Sequence, residues 1–389
     1  MAVPYRQYDP SLLEPAYPQR TRKLEDLAVE LAAQTGQLTQ GLHPIVVSTL
    51  GELVRSMNCY YSNLIEGHRT MPRDIERALS EELSNDPKQR DLQLEAKAHI
   101  EVQRLIDLNA EWANKSPVSP DFMQEIHRAF YERLPVSLWQ LGDVTVEPGQ
   151  FRINNVQIGR HIPPYAETVP LFLKRFSQLY EPERFSKVDQ IIAVAAAHHR
   201  FLWIHPFLDG NGRVVRLMSH AHLKKIGIGN SLWSVSRGLA RQVQTYRKRL
   251  EMADGQRQND YDGRGNLTMK GLILFSEFFL ETCLDQVTFM AKLLAPQQLL
   301  KRIEAYVMVE TNAQQLLPGS FPILKAALLE GKIKRGDAAT LTGYQERQAR
   351  SVLKRLLEAR LLTSESAKGP VSLAFPVVAA EQWFPQLWV

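Results

Sequence analysis

The sequence predicts an all-α protein with one short β-hairpin, closed by a small helical unit that carries a second hairpin. Three observations carry this. Apolar residues recur at helical spacing in segment after segment between Leu24 and Leu293. Strand-like alternation is confined to Phe151–Ile158 and to residues 371–375. The character of the chain changes near Pro318, which divides it into an N-terminal helical region (1–116), a core with its following helices (117–294), and a linker helix with a C-terminal unit (295–389).

Met1 to about Arg22 holds Pro and Tyr and is expected to run extended over the surface. Leu24 to Ala110 reads as helical, broken at Asn85-Asp86-Pro87. Within it, about 45–67 carries the apolar stripe Leu50, Leu53, Val54 and Met57, and Gly67 stands where a C-cap glycine belongs. Ser62 and Glu66 are four apart and so share one face of that helix. Phe151 and Ile153 on one side of Asn154-Asn155, with Val156 and Ile158 on the other, read as a hairpin around an Asn turn. Lys187–Trp203 and Arg213–Leu223 are helical patterns, and the first delivers His205 at its end. The polar loop 260–266 precedes a helix over Lys270–Leu293. Phe321–Leu329, Arg335–Leu341 and Gln345–Ala359 are three short helices, followed by a hairpin from Leu361 to Phe375 around Lys368-Gly369-Pro370.

A hydrophobic share of 44% and a charged share of 23% over 389 residues are those of a globular protein. Two cysteines, Cys59 and Cys283, exclude a disulfide framework and a zinc cluster. The first residues lack an apolar signal core, and residues 271–284 are interrupted by Glu277 and Glu281, so no membrane is expected and the cytoplasm is the expected compartment. A net charge of +5 demands no nucleic-acid partner by itself.

The chemistry concentrates in His205-Pro-Phe-Leu-Asp-Gly-Asn-Gly-Arg-Val-Val-Arg216. Gly210, Asn211 and Gly212 tolerate positive φ and form a turn. A turn that opens a helix exposes unpaired backbone N–H groups and the positive end of the helix dipole, which is an anion site. Arg213 and Arg216 lie three apart on one face, and two guanidiniums there suit a polyphosphate. Asp209 is a candidate Mg²⁺ ligand, since Mg²⁺ binds through one or two carboxylates plus substrate phosphates. His205, with an ordinary pKa of about 6.5, suits a general base. Neither G-x-x-x-x-G-K-[ST] nor G-x-G-x-x-G at a strand–helix turn is present. His198 and His199 are sequence neighbours without H-E-x-x-H, and are expected to serve in packing or hydrogen bonding.

The stretch meets every position of His-x-Phe-x-Asp/Glu-Gly-Asn-Gly-Arg-x-x-Arg and so resembles the Fic family, whose members mostly transfer AMP from ATP onto protein hydroxyls. The resemblance implies a Fic-type helical core with a hairpin flap. It implies His205 as the base and Asp209 as the metal ligand. Gly210, Asn211 and Gly212 then cradle the α-phosphate, Arg213 and Arg216 bind the β- and γ-phosphates, and Phe207 points into the core. The flap Phe151, Ile153, Val156 and Ile158 would dock the target segment by backbone pairing. Trp233 to Arg237 and Tyr246 resemble the segment beside the adenine, although core aromatics are an equal reading. Ser62-x-x-x-Glu66-Gly67 resembles the family's inhibitory motif, which implies that Glu66 pairs with Arg216 in the γ-phosphate's place within one chain.

ATP as substrate, Mg²⁺, a target protein with an exposed hydroxyl and self-modification follow from the same resemblance. The C-terminal unit resembles a winged helix-turn-helix, whose third helix would display Arg347, Arg350, Lys354 and Arg355 to DNA phosphates. A protein-interaction or homodimer wing fits it equally. Two further readings stay open: a DNA-binding regulator whose core senses nucleotide, and transfer of another phosphate-containing group.

Overall fold

The computed structural model describes residues 9–388, and within them the chain is helical with only small antiparallel sheets. The N-terminal region forms α1 (Arg22–Gln37), α2 (Pro44–Ile65), α3 (Pro72–Leu79), α4 (Pro87–Leu108) and α5 (Ala110–Asn114). The expected single break in this region is one of several. Residues 38–43 and 66–71 also leave the helix, because Pro44 and Pro72 each occupy a first helical position and start a new one.

The core continues with α6 (Pro120–Tyr131), a two-stranded hairpin of β1 (Gln140–Leu141) and β2 (Val144–Thr145), α7 (Val169–Tyr180), α8 (Lys187–Ile204), α9 (Asn211–Lys225), α10 (Val235–Arg241), α11 (Val243–Asp254), α12 (Met269–Leu294) and α13 (Pro296–Asn312). α8 is apolar around most of its circumference, and from Gln190 to Ile204 nearly every residue is buried. Such a helix belongs at the centre, and it packs against α1, α7, α9, α11 and α12. Its end and the start of α9 are thereby held rigidly.

An ion network ties α2 to α4 and α9. The buried Arg55 of α2 meets Asp107 at 2.7 Å, and His220 of α9 meets the other oxygen of the same carboxylate at 2.7 Å. A fully buried carboxylate needs this many partners to remain charged.

Two expectations are corrected here. Residues 9–21 do not lie over the surface: Leu12, Leu13 and Ala16 are buried. The cause is Arg200 of α8, which is buried without a carboxylate and instead donates to the carbonyls of Leu13 at 3.1 Å and Pro15 at 2.9 Å. Met1–Tyr8 lie outside the described residues. The Asn154-Asn155 hairpin does not form either. Arg152 donates to the carbonyls of Asn154, Pro164 and His205, and Asn155 accepts from Ala166 N–H at 2.9 Å. These bonds hold the segment as an extended loop, with one bridge between Ile158 and His161. The hairpin of the core is β1–β2, turning at Gly142-Asp143.

The C-terminal unit contains α14 (Ser320–Glu330), β3 (Lys332–Ile333), α15 (Ala338–Thr342), α16 (Glu346–Glu358), β4 (Leu362–Thr363) and β5 (Val371–Leu373). The three expected helices and the hairpin are present. β3 is an addition, paired with β5 so that the sheet runs β3-β5-β4. After it comes α17 (Val377–Trp383), and the tail returns to the core.

The unit and its tail pack against the core. One apolar cluster runs from Leu50, Met57 and Tyr61 of α2 to Leu324, Trp383 and Leu387. The Tyr61 hydroxyl donates to the Leu387 carbonyl at 2.9 Å, and Val377 N–H donates to Glu76 of α3 at 3.0 Å. Trp383→Ala is expected to cost roughly 3–5 kcal/mol, as truncation of a buried aromatic does. Urea denaturation measures it, and a loss under 1 kcal/mol would show that the tail is not part of the core.

Candidate functional site

The residues singled out between 205 and 216 converge on the junction of α8 and α9. His205 caps α8 in the left-handed conformation, with φ 50° and ψ 62°. That conformation costs a non-glycine residue on the order of 1 kcal/mol, and it persists because the chain is held on both sides. His205 N–H bonds the Phe201 carbonyl at 3.0 Å, and Arg152 Nε donates to the His205 carbonyl at 2.8 Å. Burial, seconded by the Arg152 charge, pushes the His205 imidazole down to about 4. The imidazole is therefore neutral at pH 7, and this replaces the ordinary value expected from sequence.

Phe207 points inward and stacks on His127, with centroids 4.1 Å apart. Asn211 spends its side chain on the turn itself: Oδ1 accepts from Phe207 N–H at 2.9 Å and Nδ2 donates to the Phe207 carbonyl at 2.8 Å. Its amide therefore braces the loop. The first N–H groups of α9, beyond Gly210 at φ 77°, have no partner within the helix. A side chain at Gly212 would run into the Glu66 carboxylate.

Asp209 is exposed, and its Oδ2 accepts from the Tyr131 hydroxyl at 2.6 Å. Desolvation opposes its charge, but the Tyr131 hydroxyl and the Gly210 N–H hold its pKa below the usual value. No group of three or more His, Cys, Asp or Glu side chains forms a metal cluster among the described residues. A single exposed carboxylate beside the unpaired N–H groups of a helix start fits a Mg²⁺ whose other ligands are phosphate oxygens and water.

Both arginines of α9 are buried, and both meet carboxylates. Arg216 donates from Nε to Ser62 Oγ at 2.8 Å and from Nη2 to Glu66 Oε1 at 2.6 Å. Glu66 ends α2 and Gly67 follows at φ 90°, so the helix terminates where its carboxylate reaches Arg216. Desolvation raises the Glu66 pKa, but attraction to Arg216 outweighs it and leaves the group ionised. Arg213 lies over the Phe130 ring at 5.0 Å and donates to Glu95 of α4 at 2.8 Å.

The remaining expected residues are placed less centrally. Phe151 packs beside Phe207 at 5.4 Å, Ile153 is 90% exposed, Val156 is half-buried, and Ile158 is exposed. This loop borders a cleft of about 620 Å³ whose walls include Ile158, His161, Leu202, His205, Leu250 and Asp254. The residues expected beside the adenine, Trp233, Arg237 and Tyr246, are all buried. Arg237 is fully buried 3.7 Å from the Phe289 ring centroid and bonded to Gln286 and the Gln386 carbonyl, and Trp233 is buried in the apolar cluster. Tyr246 is also buried, its hydroxyl bonded to His198 Nε2 at 2.7 Å. His198 reaches Ser219 as well, and His199 reaches Asp254 at 3.1 Å, so both imidazoles serve hydrogen bonding.

Sequence reasoning missed Tyr131, Arg152 and Glu95. Each acts across tens of residues on a partner in the turn or on α9, and none stands in a motif. The one local signal was an arginine, Arg152, alternating with Phe151 and Ile153 where a strand was expected.

Part of this chain, including the α8–α9 junction, is similar to known proteins. Residues 117–223 match the Fic/DOC family. The protein adenylyltransferase Fic of Drosophila ananassae is 33% identical over 121 residues, which are 31% of this chain and 22% of that protein. Its Drosophila melanogaster counterpart is 34% identical over 121 residues, 31% and 23% of the two chains. The chain thus spans about a fifth of the length of these relatives. A Fic family protein from Desulfovibrio desulfuricans G20 superposes with a TM-score of 0.53 at 17% identity, over 92% of this chain and 97% of that one. Fic-1 of C. elegans, residues 134–508, gives 0.54 at 17% identity over 70% and 73%. The likeness to these solved structures is one of fold.

Proposed function

We propose that this chain, which carries a Fic domain over residues 117–223, transfers AMP from ATP to Ser, Thr or Tyr hydroxyls of target proteins and is self-inhibited by Glu66. The observation that carries the reading is the placement of a neutral His205 and an ionised Asp209 on one turn that opens onto the α9 N-terminus and its two arginines.

In this reading the His205 imidazole takes the proton of the target hydroxyl. The hydroxyl oxygen then bonds to the α-phosphorus, the bond from that phosphorus to the α–β bridging oxygen breaks, and pyrophosphate leaves. The free N–H groups at the start of α9 bind the α-phosphate, and Arg213 and Arg216 the outer phosphates. Asp209, oriented by Tyr131, would hold Mg²⁺, which when bound neutralises phosphate charge. Arg152 keeps the His205 backbone in its left-handed state and is a positioning residue. The exposed 153–158 loop and the adjoining cleft receive the target segment.

The test is incubation of the Glu66→Gly protein with Mg²⁺ and ATP labelled in the α- or the γ-phosphate. Label from the α-phosphate alone should stay on protein, with the mass gain of one AMP. A different added mass would favour transfer of another phosphate-containing group, and no label would overturn the reading.

A second activity has its own support. We read α14 to β5 as a winged helix-turn-helix whose α16 leaves Arg347, Arg350 and Lys354 exposed, while Arg355 is turned to the Gln315 carbonyl at 2.6 Å. Arg350 and Lys354 also pair with Glu346 and Glu358 on their own helix. Replacing Arg347 should flatten the salt dependence of duplex-DNA binding by about one unit. Absence of salt-dependent binding would leave the wing as a protein-interaction surface.

A further inference from the structure

Glu95 stands out among the groups that no motif assigns. It is a carboxylate in the middle of α4, flanked by the fully buried Ala96, with its side chain 13% exposed. One of its oxygens, Oε2, meets Arg213 Nη2 at 2.8 Å and His68 Nδ1 at 2.7 Å. His68 follows Glu66 by two residues and lies 3.1 Å from the same Arg213 nitrogen. Two carboxylates thus sit on the two phosphate arginines, but their situations differ.

Glu66 closes the end of a helix, and its side chain is 35% exposed, so it can move aside for a phosphate. Glu95 is anchored within a helix and packed, and has no comparable freedom. It must therefore remain beside Arg213 when nucleotide is bound. The rest of Arg213 agrees with that role. The Phe130 ring supports the guanidinium, Glu95 holds one edge, and the buried Nε has no hydrogen-bond partner. A buried guanidinium held from two sides has its orientation fixed before an anion arrives.

We propose that Glu95 is a positioning residue of the nucleotide site, which holds the Arg213 guanidinium in the orientation that binds the outer phosphates of ATP. The proposal rests on the adenylyl-transfer reading above. It makes Glu95 the opposite of Glu66: one carboxylate must leave for ATP to bind, and the other must stay.

The test uses full-length protein in the Glu66→Gly background, where inhibition is removed. Because Arg213 would touch phosphates before and during transfer alike, Glu95→Gln should raise the KM for ATP and the calorimetric Kd about tenfold with kcat little changed. With Arg213→Gln also present, Glu95→Gln should have no further effect, since it would act only through that side chain. If Glu95→Gln fails to fold, Glu95→Asp, which keeps the charge and retracts it, should raise KM by a smaller factor.

An unchanged KM and Kd, or a drop in melting temperature alone, would reduce Glu95 to a structural ion pair and overturn the proposal. A fall in KM would make it a second inhibitory latch and equally overturn it. ATP binding that weakens on Glu95→Gln, in a protein that transfers no label, would uphold Glu95 and fault the transfer reading instead. Failure of the Glu66→Gly protein to bind ATP at all would overturn both.

Discussion

His205→Ala is expected to reduce AMP transfer by about 10²–10⁴-fold, the usual loss on removing a general base, while ATP binding stays nearly intact. His205 faces the cleft beyond the turn, whereas the groups proposed to bind phosphate lie on α9. The variant should bind ATP in calorimetry and accept almost no α-phosphate label. The pH profile of the wild-type protein is a second readout of the base. Burial and Arg152 depress the imidazole to about 4, so it is unprotonated through the neutral range and gains a proton only in acid. The acid limb of kcat/KM should accordingly fall near 4 rather than near 6.5. Wild-type transfer by His205→Ala would remove His205 from the mechanism.

Glu66→Gly should raise transfer and self-modification by about 10–100-fold at limiting ATP, the equivalent of one charge-assisted bond at roughly 1.5–3 kcal/mol. The carboxylate occupies Arg216 at 2.6 Å, and Ser62 holds the same guanidinium at 2.8 Å. Arg216→Ala should not mimic the activation, because it removes the phosphate contact together with the lock. The sign of the pH effect follows from the depressed pKa of Glu66. The stabilisation from the pair is fully present above the usual carboxylate pKa, and is lost as the pH falls through the lower folded value. Inhibition should therefore hold through neutral pH and weaken only in acid. Equal rates for wild type and Glu66→Gly across ATP concentrations would refute the inhibitory role.

Short-range physics explains which parts were legible. The helices over Pro44–Ile65, Lys187–Ile204, Asn211–Lys225 and Met269–Leu294 follow their apolar periodicity to within a few residues. The Asn154-Asn155 hairpin was misread because Arg152 and Asn155 spend their hydrogen bonds on the 164–166 and 204–205 backbone, and a strand ladder cannot form against those partners. β1 and β2 escaped notice because two-residue strands carry almost no alternation.

By itself the sequence determined the Gly210-Asn211-Gly212 turn that opens α9, the order His205, Asp209, Arg213, Arg216 along it, and the shared face of Ser62 and Glu66. All of these are fixed by turn chemistry and by the 3.6-residue helical repeat, within a dozen residues of chain. Only the tertiary structure decided what surrounds them. Burial of His205 set its charge, Tyr131 and Glu95 came from distant helices to meet Asp209 and Arg213, and the C-terminal tail closed over α2 and took a hydrogen bond from Arg237. Desolvation and ion pairing depend on which surfaces meet across long loops, and neither spacing nor composition encodes that meeting in a single chain.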